Sequence, residues 1–480
     1  MFSNELWQKS GVSTYSIDQS IRFNKADSAY LKKTFGSSAS NRRTHTYSFW
    51  VKLGANAAGV NANGGCFFLS TNDTGANAGD YLHLNGSLEL RYWSNNSSAE
   101  TFKTNQVFRD YSAWYHIVLV NDRDNAVGSE AVRLYVNGQR VTSFAVDNIS
   151  GRKSQDTMVN GSSYFWQIQR FTSGDVNGDC YMADIVFIDG QALGPSSFGE
   201  YSDDGIWIPK DVSELTFGTN GFYIDGRDSS DLGDDKSGQG NDFTTSGLAA
   251  HDQVFDTPTN NFCVLNPISK PAYGSYMDRN VTGVNLQVTE NGDGSVGSFG
   301  FGTFVISSGK WYYEIYTNTL PSNNAFSFGW IDAENAETAT DSGSSWKLLG
   351  INQRSDYSVW QHGMNVSTAT GGTSFSGNHT LGVLTDFDTN TMTITLDGSA
   401  YISKDFDTTS PTYLLSGVPH YPQMYWGADG ASLCTFNFGQ DSTFNGAISA
   451  GGNADGNGHG NFKYTVPTGA LAICSKNVGS

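Results

Sequence analysis

Trp114-Tyr-His-Ile-Val-Leu-Val-Asn-Asp122, a short polar excursion, and then Val132-Arg-Leu-Tyr-Val-Asn-Gly-Gln-Arg-Val141 form the stretch whose reading decides the fold. From Val132 to Asn137, apolar Val132, Leu134 and Val136 alternate with Arg133, Tyr135 and Asn137, the period-2 pattern of a strand with one face on a core. Asn137-Gly138 then predicts a type I′ turn, because Asn and Gly tolerate the positive φ that such a turn requires. Gln139 to Phe144 is expected to fold straight back. The earlier run places Trp114, His116, Val118 and Val120 on one face and Tyr115, Ile117 and Leu119 on the other, which predicts a central strand covered on both sides. The same device returns in Leu381-Gly-Val-Leu-Thr-Asp-Phe-Asp388, Thr389-Asn390, and Met392-Thr-Ile-Thr-Leu-Asp397-Gly398. Its double use predicts an all-β protein: two antiparallel β-sandwich (jelly-roll) domains in tandem.

Working outward, 480 residues fit two large sandwiches on a prior of roughly 100 to 200 residues per domain. Aromatics at 13%, 55 glycines and only 16% charged residues favour strands and tight turns over long amphipathic helices. With 47 acidic against 28 basic residues the formal charge is −19, which repels phosphate backbones and argues against nucleic acid as a partner. No apolar stretch reaches the roughly 20 residues that span a bilayer, so no membrane insertion is expected. The opening Met1-Phe-Ser-Asn-Glu-Leu-Trp-Gln-Lys9 has no secretion-type apolar run. Cys66, Cys180, Cys263, Cys434 and Cys474 stand singly, which predicts neither a disulfide framework nor a zinc site and suggests synthesis in a reducing cytosol.

Strands are expected at Ser20–Asn24, Ala29–Phe35, Thr46–Lys52, Cys66–Ser70, Tyr81–Leu84, Leu88–Trp93, Ser163–Phe171 and Tyr181–Ile188, separated by Gly, Asn, Asp and Ser clusters. Among them, Tyr47-Ser-Phe-Trp-Val, Trp114-Tyr-His-Ile-Val, Leu134-Tyr-Val-Asn-Gly and Ala183-Asp-Ile-Val-Phe-Ile-Asp with Gln191-Ala-Leu resemble successive strands of a laminin G-like, concanavalin A-like jelly roll over roughly residues 18 to 210. Asp189-Gly190 departs from the wording usual there. Further on, Gly309-Lys-Trp-Tyr-Tyr-Glu-Ile-Tyr, Ala325-Phe-Ser-Phe-Gly-Trp-Ile-Asp, Leu381 to Asp388, Thr393-Ile-Thr-Leu-Asp-Gly and Cys434-Thr-Phe-Asn-Phe-Gly-Gln resemble a SPRY domain over about residues 280 to 442. That resemblance implies a bent sandwich that binds partners through its loops and carries no chemistry. The organisation read here is an arm at 1–16, a laminin G-like sandwich at 17–255, a proline-containing extended connector at 256–275 and a SPRY-like sandwich at 276–480 with a closing C-terminal strand. Within the arm, Phe2, Leu6 and Trp7 are candidate docking anchors, set against a loose terminus.

Asp225, Asp228, Asp231, Asp234, Asp235 and Asp242, with Asn241, crowd a Gly-rich loop. Calcium takes six to eight oxygens from a loop able to wrap it, so a calcium site is one reading, and a set of Asx-turns in a solvated loop is the other. The same wording, with Gly240-Asn-Asp-Phe-Thr and Phe255-Asp-Thr-Pro-Thr-Asn-Asn-Phe, resembles a linker in virion proteins of marine bacteriophages. That resemblance implies a tail-fibre or capsid-surface protein, made in the host cytoplasm and displayed on the virion. Its partners would be other virion proteins and a host cell-surface glycan or protein, and it would be a homo-oligomer, with a trimer as the symmetry usual in fibres.

Glycosidases of the concanavalin A-like class need carboxylates two residues apart on one strand face, and no Glu-x-Asp-x-Glu run occurs. Asp332, Glu334 and Glu337, and the pair Asp386 and Asp388, sit at strand ends and turns. His116, inside a strand, reads as a satisfied sheet residue rather than a ligand. Aromatics are better binding candidates, since a flat ring stacks on a sugar face while amides beside it hydrogen-bond the hydroxyls. Trp346, Tyr357, Trp360, Gln361 and His362, expected in loops of the second domain, form one cluster. Tyr92 and Trp93, with Arg91, Asn95 and Asn96, form a weaker patch on the first. The expectation is therefore a non-enzymatic adhesion protein, with capsid decoration or cement and a secreted glycoside hydrolase as rivals.

Overall fold

The computed structural model describes residues 15–35, 41–57, 65–71, 79–94, 100–161, 164–171, 176–268, 280–291, 298–319, 326–334, 336, 348–353, 358–361, 364–368, 377–405, 416–426 and 431–479. The chain divides into two compact units between Asn261 and Phe262. Both are built of antiparallel β-sheet, as the alternation of apolar and polar residues requires.

In the first unit, one sheet runs in the order Gln139–Arg140, Val132–Val136, Trp114–Asp122, Thr44–Leu53, Cys180–Asp189, Ser20–Phe23, Gln253–Val254, with Phe222–Ile224 also on Cys180–Asp189. The opposing sheet runs Phe144–Asp147, Phe102–Val107, Glu89–Trp93, Tyr81–Leu84, Phe67–Thr71, Phe165–Ile168, Tyr30–Thr34, Thr244–Ser246. Ile117 and Leu119 point between the sheets, into a core with Phe49, Phe68, Trp166 and Phe187. Val118 and Val120 point the other way, into a second apolar layer with Val186, Ile188, Phe198, Val212, Phe217 and Tyr223. The central strand is thus covered on both faces, as its sequence predicts. Asn137 (φ 47°) and Gly138 (φ 77°) make the expected turn, and Asp397 (φ 49°) and Gly398 (φ 80°) repeat it in the second unit.

The return strand is shorter than expected. Gln139 and Arg140 pair back with Val136 and Tyr135, the Val141 N–H still reaches the Leu134 carbonyl at 2.9 Å, and Phe144–Asp147 joins the opposite sheet beside Phe102–Val107. The Phe144 ring lies 5.4 Å from that of Phe102, and Asn105 bonds Ser143 through backbone and side chain, so the segment is held on that sheet. The run expected at Ser163–Phe171 breaks at Gln169, whose φ of 66° ends Phe165–Ile168.

The 256–275 segment is also not the extended connector expected from its prolines. Asp256, Phe262, Cys263, Val264 and Leu265 are buried. Phe262 bridges to Cys474, and Leu265 to Gly302; the apolar run Phe262-Cys-Val-Leu265 draws the chain inward, while residues 269–275 lie outside those described. Asp256 closes the first unit. Its carboxylate meets Lys52 Nζ at 2.7 Å and accepts the Trp114 indole N–H at 3.0 Å, and Lys52 also donates to Asn261 at 2.7 Å.

In the second unit, one sheet runs Asn280–Thr282, Gln287–Asn291, Ala431–Asn437, Lys310–Thr319, His379–Asp386, Thr391–Leu396, Ser399–Asp405, and the other Ser298–Phe301, His420–Trp426, Phe326–Asp332, Leu348–Gln353, Ser358–Gln361, Met364–Thr368. Tyr313 and Trp330 meet between them, ring centroids 5.9 Å apart. The closing C-terminal segment adds one parallel pairing, Leu471–Ala472 on Trp311–Tyr312. Glu314, fully buried, holds this segment. It accepts the Lys463 N–H at 2.8 Å, the Tyr464 N–H at 2.9 Å, the Tyr312 hydroxyl at 3.1 Å and the Asn437 amide at 3.2 Å. Burial outweighs these donors and pushes its carboxyl up to about 7.

Two outcomes follow for stability. Asp256→Ala leaves Lys52 buried without its carboxylate and should lower the unfolding free energy of the first unit by about 3–5 kcal/mol in urea titrations, as for other broken buried pairs. A loss below about 1 kcal/mol, the range of exposed pairs, would contradict this. For Glu314 the folded state holds its proton more tightly than the unfolded chain does, so stability is highest below the ordinary carboxyl range and falls as pH rises to about 7. The slope should be at most about 1.4 kcal/mol per pH unit, and Glu314→Gln, which cannot ionise, should flatten it.

Candidate functional site

The second apolar layer of the first unit carries a feature no single strand reveals. After Ile188 the chain runs outward, and Gly199–Tyr201 pairs with Trp207–Pro209 in a small hairpin that sets Tyr201 opposite Trp207. Trp207 lies flat against the Asn137-Gly138 turn and against Gly199. A Cβ on Gly138 would stand 2.4 Å from Trp207 Cε3, and one on Gly199 2.6 Å from Cε2, so glycine is needed at both places for the indole to seat.

Behind Trp207 the rings form a column. His116 lies side by side with Trp207, 5.9 Å between centroids and nearly parallel to it, and stacks on Trp50 at 4.6 Å, while Tyr201 meets Trp207 edge-on at 4.9 Å. The indole N–H of Trp207 donates to His116 Nδ1 at 2.9 Å, so Nδ1 carries no proton, and Nε2 donates to Ser48 Oγ at 2.8 Å. Burial pushes the imidazole down to about 3, so it is neutral at physiological pH. His116 is therefore a satisfied framework residue, as read from its strand position.

Tyr201 ends the column at the surface, 47% exposed. Its hydroxyl donates to the Asn137 carbonyl at 3.3 Å and accepts from the Gln139 amide. Arg140, next to Gln139 in sequence, is held by Glu130 through two contacts of 2.8 Å. The result is an aromatic face with the Gln139 amide on its rim. An aromatic ring fixed before binding loses little conformational freedom on meeting a flat, hydroxylated ligand.

The residues singled out from sequence fall elsewhere. Tyr92 is a correction: alternation along Glu89–Trp93 turns Leu90 and Tyr92 inward, and Tyr92 is fully buried, 5.6 Å from the Phe102 ring, with its hydroxyl near Asn121 and Arg123. It cannot stack on a ligand. Trp93 points outward, but the Arg91 guanidinium lies 5.6 Å over its ring; Asn95 and Asn96 lie outside the described residues. Trp346, Tyr357 and His362 also lie outside them. Trp360 and Gln361 belong to the strand Ser358–Gln361 rather than a loop, with Trp360 opposite Gly350 and Asn365. Phe2, Leu6 and Trp7 are outside the described residues as well.

The acidic loop forms Asx-turns. Asp225 accepts the Arg227 N–H, Asp228 that of Ser230 and Asp231 that of Gly233. Asp234 pairs with Lys236. Asp235 accepts the N–H groups of Tyr223, Ser237 and Asn241, and Asp242 that of Asp235. The carboxylates are spent on their own backbone instead of converging, and among the described residues no three His, Cys, Asp or Glu side chains are grouped to hold a metal. The carboxylates considered for catalysis are turn groups too. Asp332 accepts the Glu334 N–H, Asp386 those of Asp388 and Thr389, and Asp388 that of Gly309, while Glu337 lies outside the described residues.

Residues 25–178 match a family model described as the Concanavalin A-like lectin/glucanases superfamily. The match includes the Asn137-Gly138 turn and ends before Tyr201 and Trp207. The class this defines is an all-β protein whose first unit contains a concanavalin A-like sandwich. Solved structures similar to the chain include the SPRY domain of human HERC1 (13% identity, 33% of this chain and 91% of that one, TM-score 0.25), the TRIM65 PSpry domain (16%, 36% and 89%, 0.26) and a human SPRY domain (14%, 33% and 93%, 0.24). No curated protein matches the chain.

Tyr201 and Trp207 were missed because they follow the strands that carry the resemblance. The signal available was Tyr201-Ser-Asp-Asp-Gly-Ile-Trp207, a polar turn with an aromatic on each flank. Gly138→Ala should displace the indole and change the near-ultraviolet circular dichroism of the tryptophans, with Gly151→Ala, where a Cβ meets nothing within 4 Å, as the unaffected control. An unchanged spectrum for Gly138→Ala would mean that the column does not depend on this seat.

Proposed function

We propose that the protein is a non-enzymatic binding protein whose first unit holds surface glycans on the Tyr201 face. What carries this reading is the exposed Tyr201 ring, locked by Trp207 and by the Asn137–Gln139 hairpin on a concanavalin A-like sandwich. Sugars present flat C–H faces to such rings and hydroxyls to neighbouring amides. His116, the imidazole behind that face, is buried and neutral with both ring nitrogens bonded, so it is not poised as an acid or base, which favours binding over hydrolysis.

The setting is part of the same proposal. The resemblance of residues 225–262 to a linker of marine phage virion proteins supports a virion-surface adhesion component, made in the host cytoplasm, with a host glycan as ligand and other virion proteins as neighbours. A glycan array probed with the full chain tests the reading. Binding should be detected, and Tyr201→Ala should weaken it about tenfold, the size of one aromatic contact. Trp360→Ala serves as the separate arm for the second unit. No binding by the wild-type chain, or undiminished binding by Tyr201→Ala, would overturn the assignment of this face.

A further inference from the structure

The margin of the opposing sheet in the first unit carries a cavity that neither the aromatic column nor the acidic turns explain. Its outermost strand, Thr244–Ser246, is three residues long and pairs with Tyr30–Thr34 from Ser246 opposite Tyr30 to Thr244 opposite Lys32. Lys33 and Thr34 therefore run on past the shorter strand. A cavity of about 630 Å³ opens there, inside the range of roughly 300–1,000 Å³ of small-molecule sites. Successive strand residues face opposite ways, but a site at the margin is reached from both faces. Lys32 and Lys33 accordingly both line it, together with the hydroxyl-bearing Tyr30, Thr34, Thr244 and Ser246.

Two ammonium groups at one cavity stand out in a chain of formal charge −19, and here they are not neutralised. The Lys32 Nζ lies 4.7 Å from the centroid of the Phe165 ring and the Lys33 Nζ 5.9 Å from that of Phe35, and among the described residues neither forms an ion pair. An aromatic face steadies a cation while leaving its charge intact. Arg170 adds a further positive charge beside the wall, its guanidinium 5.6 Å over the Tyr30 ring. The lining also contains one carboxylate, Asp242, whose Oδ1 accepts the Asp235 N–H at 3.0 Å. We propose that this cavity binds a singly charged, hydroxyl-rich ligand, an acidic sugar of the hexuronate type, its carboxylate drawn to the two ammonium groups and its hydroxyls to Asp242 and the threonines.

The charges at the lining select this class. Asp242 repels a dianion such as phosphate, yet a carboxylate is a good acceptor for sugar hydroxyls. The net negative charge of the chain repels an extended polyanion, so the ligand is a compact one whose single charge meets the lysines locally. A neutral sugar fills the same space without that attraction. Lys32 is exposed and Lys33 half-buried, so the attraction is screened by salt. The site is independent of the Tyr201 face: it shares no residue with segments 137–140 and 199–207, and it stands whether or not that face binds glycans.

The test titrates the full chain with the methyl glycosides of glucuronate and galacturonate, followed by ligand-observed NMR, with methyl glucoside and methyl galactoside as their neutral counterparts. A uronate should bind, its neutral counterpart should bind about tenfold more weakly, and added salt should weaken the uronate alone. Lys32→Gln and Lys33→Gln should each weaken uronate binding about fivefold, the size of one exposed ion pair, with an unchanged melting temperature showing that each variant is folded. Tyr201→Ala should leave uronate binding as it is, so failure of this site and failure of the Tyr201 face are read separately. No uronate binding, equal binding of uronate and neutral sugar, undiminished binding by the folded Lys32→Gln variant, or displacement of the uronate by an equal concentration of inorganic phosphate would overturn the proposal.

Discussion

The strand Trp114–Asp122 is apolar on both faces, and burying both is the constraint on which the first unit depends. The inner face needs only a second sheet. The outer face needs a further layer, which the chain supplies from Phe198, Val212, Phe217 and Tyr223. Bringing that layer down carries the Gly199–Tyr201 and Trp207–Pro209 hairpin onto the Asn137-Gly138 turn, because the same stretch of chain contains both. The aromatic column is thus a consequence of how the outer face is covered, and Tyr201 reaches solvent because the column ends where that layer ends.

Three buried polar side chains, His116, Lys52 and Glu314, are each held by several partners, and this limits where their segments can lie. His116 is neutral and bonded through both nitrogens. Lys52 faces Asp256 and Asn261, which fixes the end of the first unit on its own sheet. Glu314 collects four donors from three separate strands and segments and so fixes the C-terminal stretch at Lys463 and Tyr464. Such groups add less to net stability than apolar burial of the same volume would, but any other placement of the chain leaves them unsatisfied.

Much of the framework is legible in the sequence because period-2 alternation and Asn-Gly or Asp-Gly turns act locally. Val132 to Val136, the strand at Trp114 and the two positive-φ turns follow from neighbours alone. What is not legible depends on distant contacts. Phe144 leaves its hairpin for the other sheet, where Phe102 and Asn105 hold its segment, and Phe262 to Leu265 are drawn in by partners at Gly302 and Cys474. The face of Tyr92 follows from the register of Glu89–Trp93, which composition does not reveal. The acidic loop shows the same limit, since six carboxylates in one loop are equally consistent with a cation and with backbone turns until the N–H groups they accept are located. The candidate site joins residues 137–140 to residues 199–207, two segments whose meeting no local pattern encodes.

The shortness of the returning strand has a further consequence. Gln139–Arg140 and Gln253–Val254, the outermost strands of the first sheet, are two residues each. A sheet margin of that length presents few unpaired backbone groups, and Arg140 places a charge on one of them. Strand-to-strand association between copies, the usual hazard of an open sheet displayed at high local density, is thereby disfavoured by the architecture itself.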